Sequence, residues 1–314
     1  MREDPVFIVL NAGSGRGDTE KRRAAVQHVL EEADRRYELF VVDDLRQLPT
    51  VAQRAVKLAQ QQQGIVVAAG GDGTINTVAQ AVLKSGRPFG VLPQGTFNYF
   101  SRTYGIPADI TEATRVILNG TVQPVQVGLV NDRVFLVNAS LGLYPQLLED
   151  REAYKKQFGR SRLVAVWAGL MTILRGYSQL VIQLEHEDKA RVMRTPTLVV
   201  GNNVLQLAKL GIPEASALRQ GQLVAITLRP VGTLAMVGLL LQGALGQLGE
   251  AENVLSFAFK RLTVRLGHPY GRRRLRVAMD GEVTWLRMPL VFEVAPTPLL
   301  LLVPTRDAAR TDQA

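Results

Sequence analysis

A buried-strand pattern that runs into a glycine-rich turn and then a helix is the feature that most constrains this 314-residue chain. Residues 65–69 are all apolar, residues 70–74 read Gly-Gly-Asp-Gly-Thr, and residues 74–84 favour a helix. Glycines let a backbone approach a phosphate closely, and the amino terminus of a helix presents free N–H groups to an anion. The segment therefore predicts a phosphate-binding turn, although a structural turn with Asp72 or Thr74 as helix cap fits the same residues.

The same order of strand, loop and helix recurs through the first part of the chain. The apolar runs are residues 6–10, 39–42, 65–69 and 89–92, and the helical stretches between them are residues 18–36, 49–62 and 74–84. This alternation predicts a parallel sheet with helices on both faces, with ligands bound beyond the carboxyl ends of the strands. Loops rich in glycine and small polar residues follow three of the strands, at residues 11–17, 70–74 and 93–98. We expect these loops to meet at one polyphosphate site.

From about residue 122 the sequence changes to short runs rich in β-branched residues, which predicts a mostly antiparallel β domain. The predicted strands are residues 125–130, 133–138, 180–185, 198–201, 223–228, 261–266 and 275–279, with helical inserts at 161–174 and 232–248. The fold class is therefore α/β plus mostly β. The predicted domains are residues 1–124 and 125–296, followed by a last strand and tail in 297–314. Whether that strand returns to the first domain is left open.

Composition excludes several kinds of site. The chain has no cysteine, which excludes disulfides, thiolate metal sites and cysteine nucleophiles, and its three histidines are scattered along the sequence. The amino terminus lacks the basic-then-apolar order of a signal peptide, so we expect a cytoplasmic protein. Residues 231–249 carry no charge, but their glycines and polar residues favour an amphipathic helix, packed on a core or touching a membrane surface, over a span.

The charge balance indicates an anionic partner, because Lys and Arg outnumber Asp and Glu by 37 to 28 and give a net charge of +9. The carboxy-terminal part contains a basic segment: Lys260, Arg261, Arg265, Arg272, Arg273, Arg274 and Arg276. Such a segment is typical of peripheral docking on an anionic membrane surface, and equally of a solvated charge run. Aromatic residues make up only 6% of the chain and do not alternate with the arginines, so we expect no nucleic acid partner.

Three motifs, in this order and spacing, resemble the catalytic domain of the diacylglycerol and sphingoid-base kinase family. They are residues 11–15, Asn-Ala-Gly-Ser-Gly; residues 70–76, Gly-Gly-Asp-Gly-Thr-Ile-Asn; and residues 93–102, Pro-Gln-Gly-Thr-Phe-Asn-Tyr-Phe-Ser-Arg. Val-Gly-Asn-Asn at 200–203 and Met-Asp-Gly-Glu at 279–282 resemble the carboxy-terminal signatures of the same family. The glycine–aspartate motif alone is shared with NAD kinases and phosphofructokinases, whereas the full set is more specific.

The resemblance implies an ATP-dependent lipid kinase. Its first domain would be a parallel-sheet nucleotide-binding domain of the NAD kinase and phosphofructokinase type, and its second an antiparallel β-sandwich that contacts the lipid substrate. The implied nucleotide-binding residues are Asn11, Ser14, Gly70, Gly71, Asp72, Gly73, Thr74, Asn76, Gly95, Thr96 and Asn98. Asp72 would also hold Mg²⁺, either directly or through water. Glu282 would be the catalytic base and Asp280 its support.

The residues leave the geometry of this catalytic pair open. If residues 280–282 are extended, Asp280 and Glu282 share a face, but if Gly281 makes a turn they diverge, as in a solvated Asp-Gly hairpin. The chain also departs from the family pattern at two places. Tyr99 and Gln220 stand where relatives with a structural Mg²⁺ have acids, which leaves that metal site open.

Two rival functions remain beside a lipid kinase. One is a kinase of a soluble acceptor such as NAD, and the other is a nucleotide- or lipid-binding protein without catalytic activity. The long β domain, the basic segment and the apolar helices favour a lipid acceptor. The choice among lipids and the presence of a homodimer are left open.

Overall fold

The computed structural model describes residues 4–13, 19–95, 97–149, 179–186, 189–267 and 274–305. The chain forms two compact units. The first comprises Met1–Val127 and Ala295–Ala314, and the second comprises Gly128–Val294.

The first unit alternates strands and helices. Its elements are β1 Val6–Asn11, α1 Thr19–Glu32, β2 Tyr37–Val42, α2 Leu48–Gln61, β3 Ile65–Gly70, α3 Asp72–Val82, β4 Phe89–Pro93, α4 Tyr99–Thr103, α5 Ile110–Asn119 and β5 Thr121–Val125. One more strand of this unit, Leu299–Val303, comes from the end of the chain and is called β18.

These strands form one sheet in the order β2-β1-β3-β4-β18-β5. Strands β1 to β4 are parallel, whereas β18 is parallel to β4 and antiparallel to β5. Every residue of β1, β3 and β4 is buried, as expected for a parallel sheet covered on both faces. The chain order reverses between β1 and β3, and a doubly wound sheet binds ligands at such a switch point, beyond the carboxyl ends of the strands.

The second unit contains twelve strands among its described residues, together with two α-helices that are described from end to end. They are β6 Gly128–Val130, β7 Arg133–Phe135, β8 Asn138–Gly142, β9 Leu180–His186, β10 Lys189–Thr195, β11 Thr197–Gly201, α6 Val204–Lys209, β12 Leu223–Leu228, α7 Thr233–Ala244, β13 Val254–Phe259, β14 Arg261–Leu266, β15 Arg274–Met279, β16 Glu282–Arg287 and β17 Leu290–Val294. A further helical segment begins at Leu143, and its described part ends at Glu149.

These strands form two six-stranded antiparallel sheets, in the orders β10-β9-β14-β17-β6-β7 and β13-β12-β11-β8-β15-β16. One buried cluster contains residues of both sheets, such as Ile182 and Phe292 from the first and Leu198 and Val277 from the second. The predicted β-sandwich is therefore confirmed. Because side chains alternate along a strand, the residues between those of the core face outward, and on the second sheet helices cover many of them.

Two predicted strands are wrong because each is interrupted. The predicted strand 125–130 is divided between β5 of the first unit and β6 of the second. The predicted strand 133–138 ends at Phe135 because the backbone N–H groups of the next three residues donate to the carboxylate of Asp280 instead of to a strand. Strands β10, β13, β16 and β17 were not predicted.

The uncharged stretch 231–249 forms a shorter helix than the sequence indicated. Helix α7 spans 12 of its residues. In the ranges of the chain that the structure describes, no helix is both long enough and apolar enough to cross a membrane. The predicted helical insert 161–174 lies outside those ranges.

Candidate functional site

A buried hydrogen bond joins the carboxyl end of β1 to the first turn of α3, the helix that follows β3. Asn11 Nδ2 donates to Thr74 Oγ1 at 2.9 Å, and Asn11 Oδ1 accepts from the backbone N–H of Gly13 at 2.9 Å. Asn11 is 7% exposed and Thr74 is 4% exposed. This pair therefore holds the first two glycine-containing loops together at the switch point of the sheet.

The second and third loops approach each other through glycines. The backbone N–H of Gln94 donates to the carbonyl of Gly70 at 2.8 Å. A Cβ atom placed on Gly95 would lie 3.2 Å from the Cα of Gly71 and 2.7 Å from Asn98 Oδ1. Asn98 adopts a left-handed backbone conformation, and its Nδ2 donates to the carbonyl of Gly95 at 2.9 Å. Glycine is needed at position 95 because a larger residue would force the two loops apart.

Helix α3 begins at this edge of the sheet. Asp72 is its first residue and is half-buried, and Gly71 precedes it without a side chain to cap the helix. A carboxylate in the first turn is favourable with the helix dipole, which explains Asp72 without any ligand. The bare backbone of Gly71 and Gly95 beside the helix amino terminus also matches a phosphate cradle. Asn76 lies one turn further along the helix, and Gly73 accepts a hydrogen bond from Thr77 Oγ1.

Two of the predicted nucleotide-binding residues, Ser14 and Thr96, lie outside the described residues. The structure brings together the others: Asn11, Gly70, Gly71, Asp72, Gly73, Thr74, Asn76, Gly95 and Asn98 occupy one edge of the first sheet. Within the ranges that the structure covers, no group of three or more acidic or histidine side chains forms a metal cage. Tyr99 stacks on Phe97, with ring centroids 6.1 Å apart.

In the second unit, the Asp280 carboxylate organises the segment between β7 and β8. Its Oδ2 accepts from Leu136 N at 2.7 Å, and its Oδ1 accepts from Val137 N at 2.8 Å and Asn138 N at 3.0 Å. Asn202, from the other carboxy-terminal motif, donates its Nδ2 to the carbonyl of Leu136 at 3.2 Å. Both carboxy-terminal motifs therefore converge on residues 136–138.

Residues 280–282 form a turn, which settles the alternatives that the sequence left open. Asp280 and Gly281 have φ values of 48° and 91°, and Met279 pairs with Glu282, so the two residues close a hairpin between β15 and β16. Asp280 and Glu282 diverge at this turn. The hairpin differs from the solvated one that the sequence suggested, because Asp280 is half-buried and hydrogen-bonded to backbone.

Glu282 is placed differently from Asp280. Much of its surface is accessible to solvent. Desolvation by the surrounding protein nevertheless raises the pKa of Glu282, and the negative charge of Asp280 raises it further. A carboxylate with a raised pKa binds a proton more readily, which suits a general base.

An apolar pocket of about 290 Å³ lies on the outer face of the second sheet of this unit. Alternation along the strands places Val199 of β11 and Ile226 of β12 on this face, while Leu198 and Ala225 point into the sandwich core. Helices α6 and α7 and the helical segment 143–149 also line the pocket. The pocket is almost entirely apolar and partly open to solvent.

Asn138 and Gln206 provide a polar end to the pocket. Asn138 Nδ2 donates to Gln206 Oε1 at 3.0 Å, and Asn138 is 6% exposed. The Oδ1 atom of Asn138 is buried and has no hydrogen-bond partner among the residues that the structure describes. Because Asp280 holds the backbone of Asn138, the candidate catalytic hairpin is tied to this polar end. An amide oxygen here could accept a hydrogen bond from a ligand hydroxyl.

The described residues of the basic segment do not form one continuous cationic surface. Arg261 and Arg265 lie on β14 in one sheet, whereas Arg274 and Arg276 lie on β15 in the other. Several of these charges have acidic neighbours: Arg265 contacts Glu185 at 2.8 Å, Arg261 contacts Glu293 at 3.7 Å, and Arg276 pairs with Glu149. Arg272 and Arg273 lie outside the described residues.

Sequence reasoning missed Asn138 and Gln206. Asn138 was taken as the end of a strand, and Gln206 belongs to a short helix that was not predicted. The available signal was an asparagine directly after the apolar run 134–137, because an amide that is buried beside such a run needs a partner.

Comparison with known proteins finds similarity to diacylglycerol kinases over part of the chain. Residues 5–130 match the family model described as the diacylglycerol kinase catalytic domain. A diacylglycerol kinase from Bacillus subtilis is 31% identical over 186 residues, which cover 58% of this chain and 59% of that protein. One from Staphylococcus saprophyticus is 28% identical over 190 residues, with the same coverage. The chain therefore spans about three fifths of the length of these two relatives.

Similarity over nearly the whole chain comes from two further proteins. An uncharacterized protein from Synechocystis is 25% identical over 326 residues, covering 96% of this chain and 70% of that protein. A crystal structure of a protein described as a putative diacylglycerol kinase from Bacillus anthracis has a TM-score of 0.71 at 20% identity. It covers 96% of this chain, and 97% of the solved chain is matched. The solved structure confirms the fold that the motifs indicated.

The hydrogen bonds of Asp280 predict a large stability difference within the candidate catalytic pair. Asp280→Ala leaves three backbone N–H groups without their acceptor, so we expect the free energy of unfolding to fall by about 3 kcal/mol, measured by urea denaturation. Asp280→Asn keeps one acceptor oxygen, so its free energy of unfolding should fall by about half as much.

Glu282→Gln is the matched control for this comparison. A raised pKa means that ionised Glu282 is disfavoured in the fold, and the stability that its protonated form contributes is lost as the pH rises through that pKa. Removal of its charge at neutral pH should therefore cause no loss of stability. Equal stability of Asp280→Ala and the parent would contradict the assigned role of Asp280.

Proposed function

We propose that this diacylglycerol-kinase-like chain is an ATP-dependent lipid kinase, which transfers the γ-phosphoryl group of ATP to a hydroxyl of diacylglycerol or a related lipid. The observation that carries the lipid assignment is the apolar pocket of about 290 Å³ with Asn138 and Gln206 at its polar end. An apolar cavity with a few placed polar groups is typical of a site for a mostly hydrocarbon ligand.

The nucleotide is assigned to the loop edge of the first unit. The backbone around Gly71 and Gly95 would contact the phosphates, because the absence of side chains there lets an anion approach the start of α3 closely. Asn11 and Thr74 would act by positioning these loops, since their side-chain polar groups are used within the protein. This division separates residues that touch ATP from residues that hold the loops in place.

The carboxylate of Asp72, among the described residues at this edge, fits Mg²⁺ bound together with a nucleotide. Mg²⁺ is usually held by one or two carboxylates, by water and by substrate phosphates, so no cage of protein ligands is required. Asp72 would hold it, directly or through water, at the start of α3. When bound there, Mg²⁺ would neutralise charge on the phosphates.

Transfer to a hydroxyl requires removal of one proton, and we assign this step to Glu282. The attacking oxygen of the lipid forms a bond to the γ-phosphorus, the bond from that phosphorus to the ADP oxygen breaks, and the hydroxyl proton passes to the Glu282 carboxylate. Asp280 is assigned as a positioning residue because both of its carboxylate oxygens accept hydrogen bonds from backbone.

A kinase of a soluble acceptor such as NAD remains the alternative within enzymes. It would share the glycine–aspartate turn, but a polar dinucleotide gains little from a pocket whose lining is almost entirely apolar. A binding protein without catalytic activity is the alternative outside enzymes. One assay separates the three.

The purified chain is incubated with γ-labelled ATP, Mg²⁺ and a total lipid extract, and the organic and aqueous phases are then separated. We expect label in a lipid of the organic phase. Label on a soluble acceptor would support the NAD-kinase-like function, and absence of transfer would support a binding protein. Asp72→Ala should remove labelling and weaken nucleotide binding, measured by calorimetry, while far-ultraviolet circular dichroism remains that of the parent.

Glu282→Gln tests the assigned base. Glutamine preserves the shape of the side chain but cannot accept the proton, so we expect kcat to fall by about 10²- to 10⁴-fold with nucleotide affinity unchanged. Because Glu282 has a raised pKa, the parent should lose activity on acidification at a higher pH than an ordinary carboxyl would give. The variant should lack this acidic limb. Near-parental kcat would show that the proton leaves by another route.

A further inference from the structure

We propose that helix α7 inserts an exposed face of three leucines into the surface of a lipid bilayer. The leucine face consists of Leu234, Leu241 and Leu245. This inference adds a membrane contact to the proposed function and does not depend on phosphoryl transfer. It rests on geometry within the second unit alone.

The three leucines lie on one side of the helix, and Leu245 is the capping residue directly after its last turn. Their spacing of seven and four residues returns to the same face of a helix with 3.6 residues per turn. Leu234 is 88% exposed, Leu241 63% and Leu245 74%. On the opposite side, Met236 and Leu239 are buried. The helix is therefore apolar on the face that packs against the protein and also on the face that meets solvent.

A lipid surface matches this outward face better than water does. Residues 231–249 contain no charged side chain, so the helix itself carries no charge that insertion would have to desolvate. Each leucine moved fully from water into hydrocarbon gains roughly 2 kcal/mol. Three such gains are enough for reversible attachment, as for other amphipathic helices that lie in the membrane interface.

The leucine face is also too small for a stable interface with a second copy of the chain, whereas its size suits contact with a bilayer. Three leucine side chains provide a patch of a few hundred Å² at most, whereas a stable protein interface buries about 800 Å² on each partner. At 12 residues, α7 is roughly 18 Å long, which is too short to cross a bilayer of about 30 Å but suits a position in its interface. The proposal therefore commits to a lipid surface.

The same helix also lines the apolar pocket. Met236, Leu239 and Gly243 of α7 contribute to the pocket lining. Insertion of the leucine face would therefore place the pocket wall directly behind the membrane contact. A lipid would reach the pocket from the bilayer across one helix, without transfer of its hydrocarbon chains through water.

The test uses sedimentation with phosphatidylcholine vesicles, without nucleotide, at low and high salt. Zwitterionic lipid and high salt suppress binding through basic side chains, so the attraction that remains is hydrophobic. We expect the parent to bind under both conditions, and a variant with Leu234→Ser, Leu241→Ser and Leu245→Ser to bind at least about tenfold more weakly. Leu45→Ser changes a leucine of the first unit that is 58% exposed and should leave binding unchanged.

A fluorescent reporter gives the depth of the contact. Leu241→Trp should show fluorescence that brominated phosphatidylcholine quenches beyond the quenching measured for the parent. If the triple variant fails to fold, Leu234→Ser alone serves, because its side chain is almost fully exposed. Nucleotide binding by the triple variant should equal that of the parent, so failure of this proposal is distinguishable from failure of the proposed kinase function.

Several results would overturn the proposal. They are absence of parental binding to phosphatidylcholine, equal binding by the triple variant, or binding only to anionic vesicles at low salt, which would assign docking to the basic segment. A parent that is dimeric by light scattering, with a monomeric triple variant, would assign the leucine face to an interface between two copies.

Discussion

The hydrogen bonds from Leu136, Val137 and Asn138 to the Asp280 carboxylate are the interaction on which the second unit depends. Backbone N–H groups in a sandwich are normally satisfied by a neighbouring strand, but these three lie where β7 has ended and β8 begins. The Asp280 carboxylate accepts the hydrogen bonds that a neighbouring strand would otherwise accept. It therefore fixes the start of β8, the side chain of Asn138 at the pocket and the hairpin that carries Glu282. One acidic side chain thus links the sandwich core to the candidate chemistry.

In the first unit, glycine residues allow the loops at the edge of the sheet to approach each other closely. Parallel strands bring the loops that follow them to one edge, and these loops can lie close together only if side chains do not fill the space between them. Gly71 and Gly95 leave their backbones near each other, while Asn11 and Thr74 fix the spacing of β1 and β3. This edge therefore presents glycine backbone beside a helix amino terminus, which suits a phosphate. The candidate nucleotide edge and the candidate lipid pocket are therefore each built on a small number of buried polar contacts.

Sequence patterns predicted the elements whose character is local. The apolar run of β3 followed by two glycines predicted a strand, a turn and a helix, and the structure has all three. The patterns failed where a distant residue decides the structure. The break after Phe135 depends on Asp280, more than 140 positions away, and no local signal in residues 133–138 reveals it. The pocket was missed for the same reason, because β8, β11 and β12 with α6 and α7 form it only after the sheet is assembled.

Occlusion of the pocket tests most directly whether it holds the lipid acceptor. Gly243 lines the pocket, and a Cβ atom added there would meet only Leu248 Cδ1, at 3.9 Å, so Gly243→Ala should be accommodated and Gly243→Leu should fill the space. We predict that Gly243→Leu raises KM for a diacylglycerol acceptor at least about tenfold, a difference of roughly 1.4 kcal/mol, with nucleotide affinity unchanged. Gly243→Ala should behave as the parent. Equal kcat/KM for the lipid in the parent and in Gly243→Leu would contradict the account.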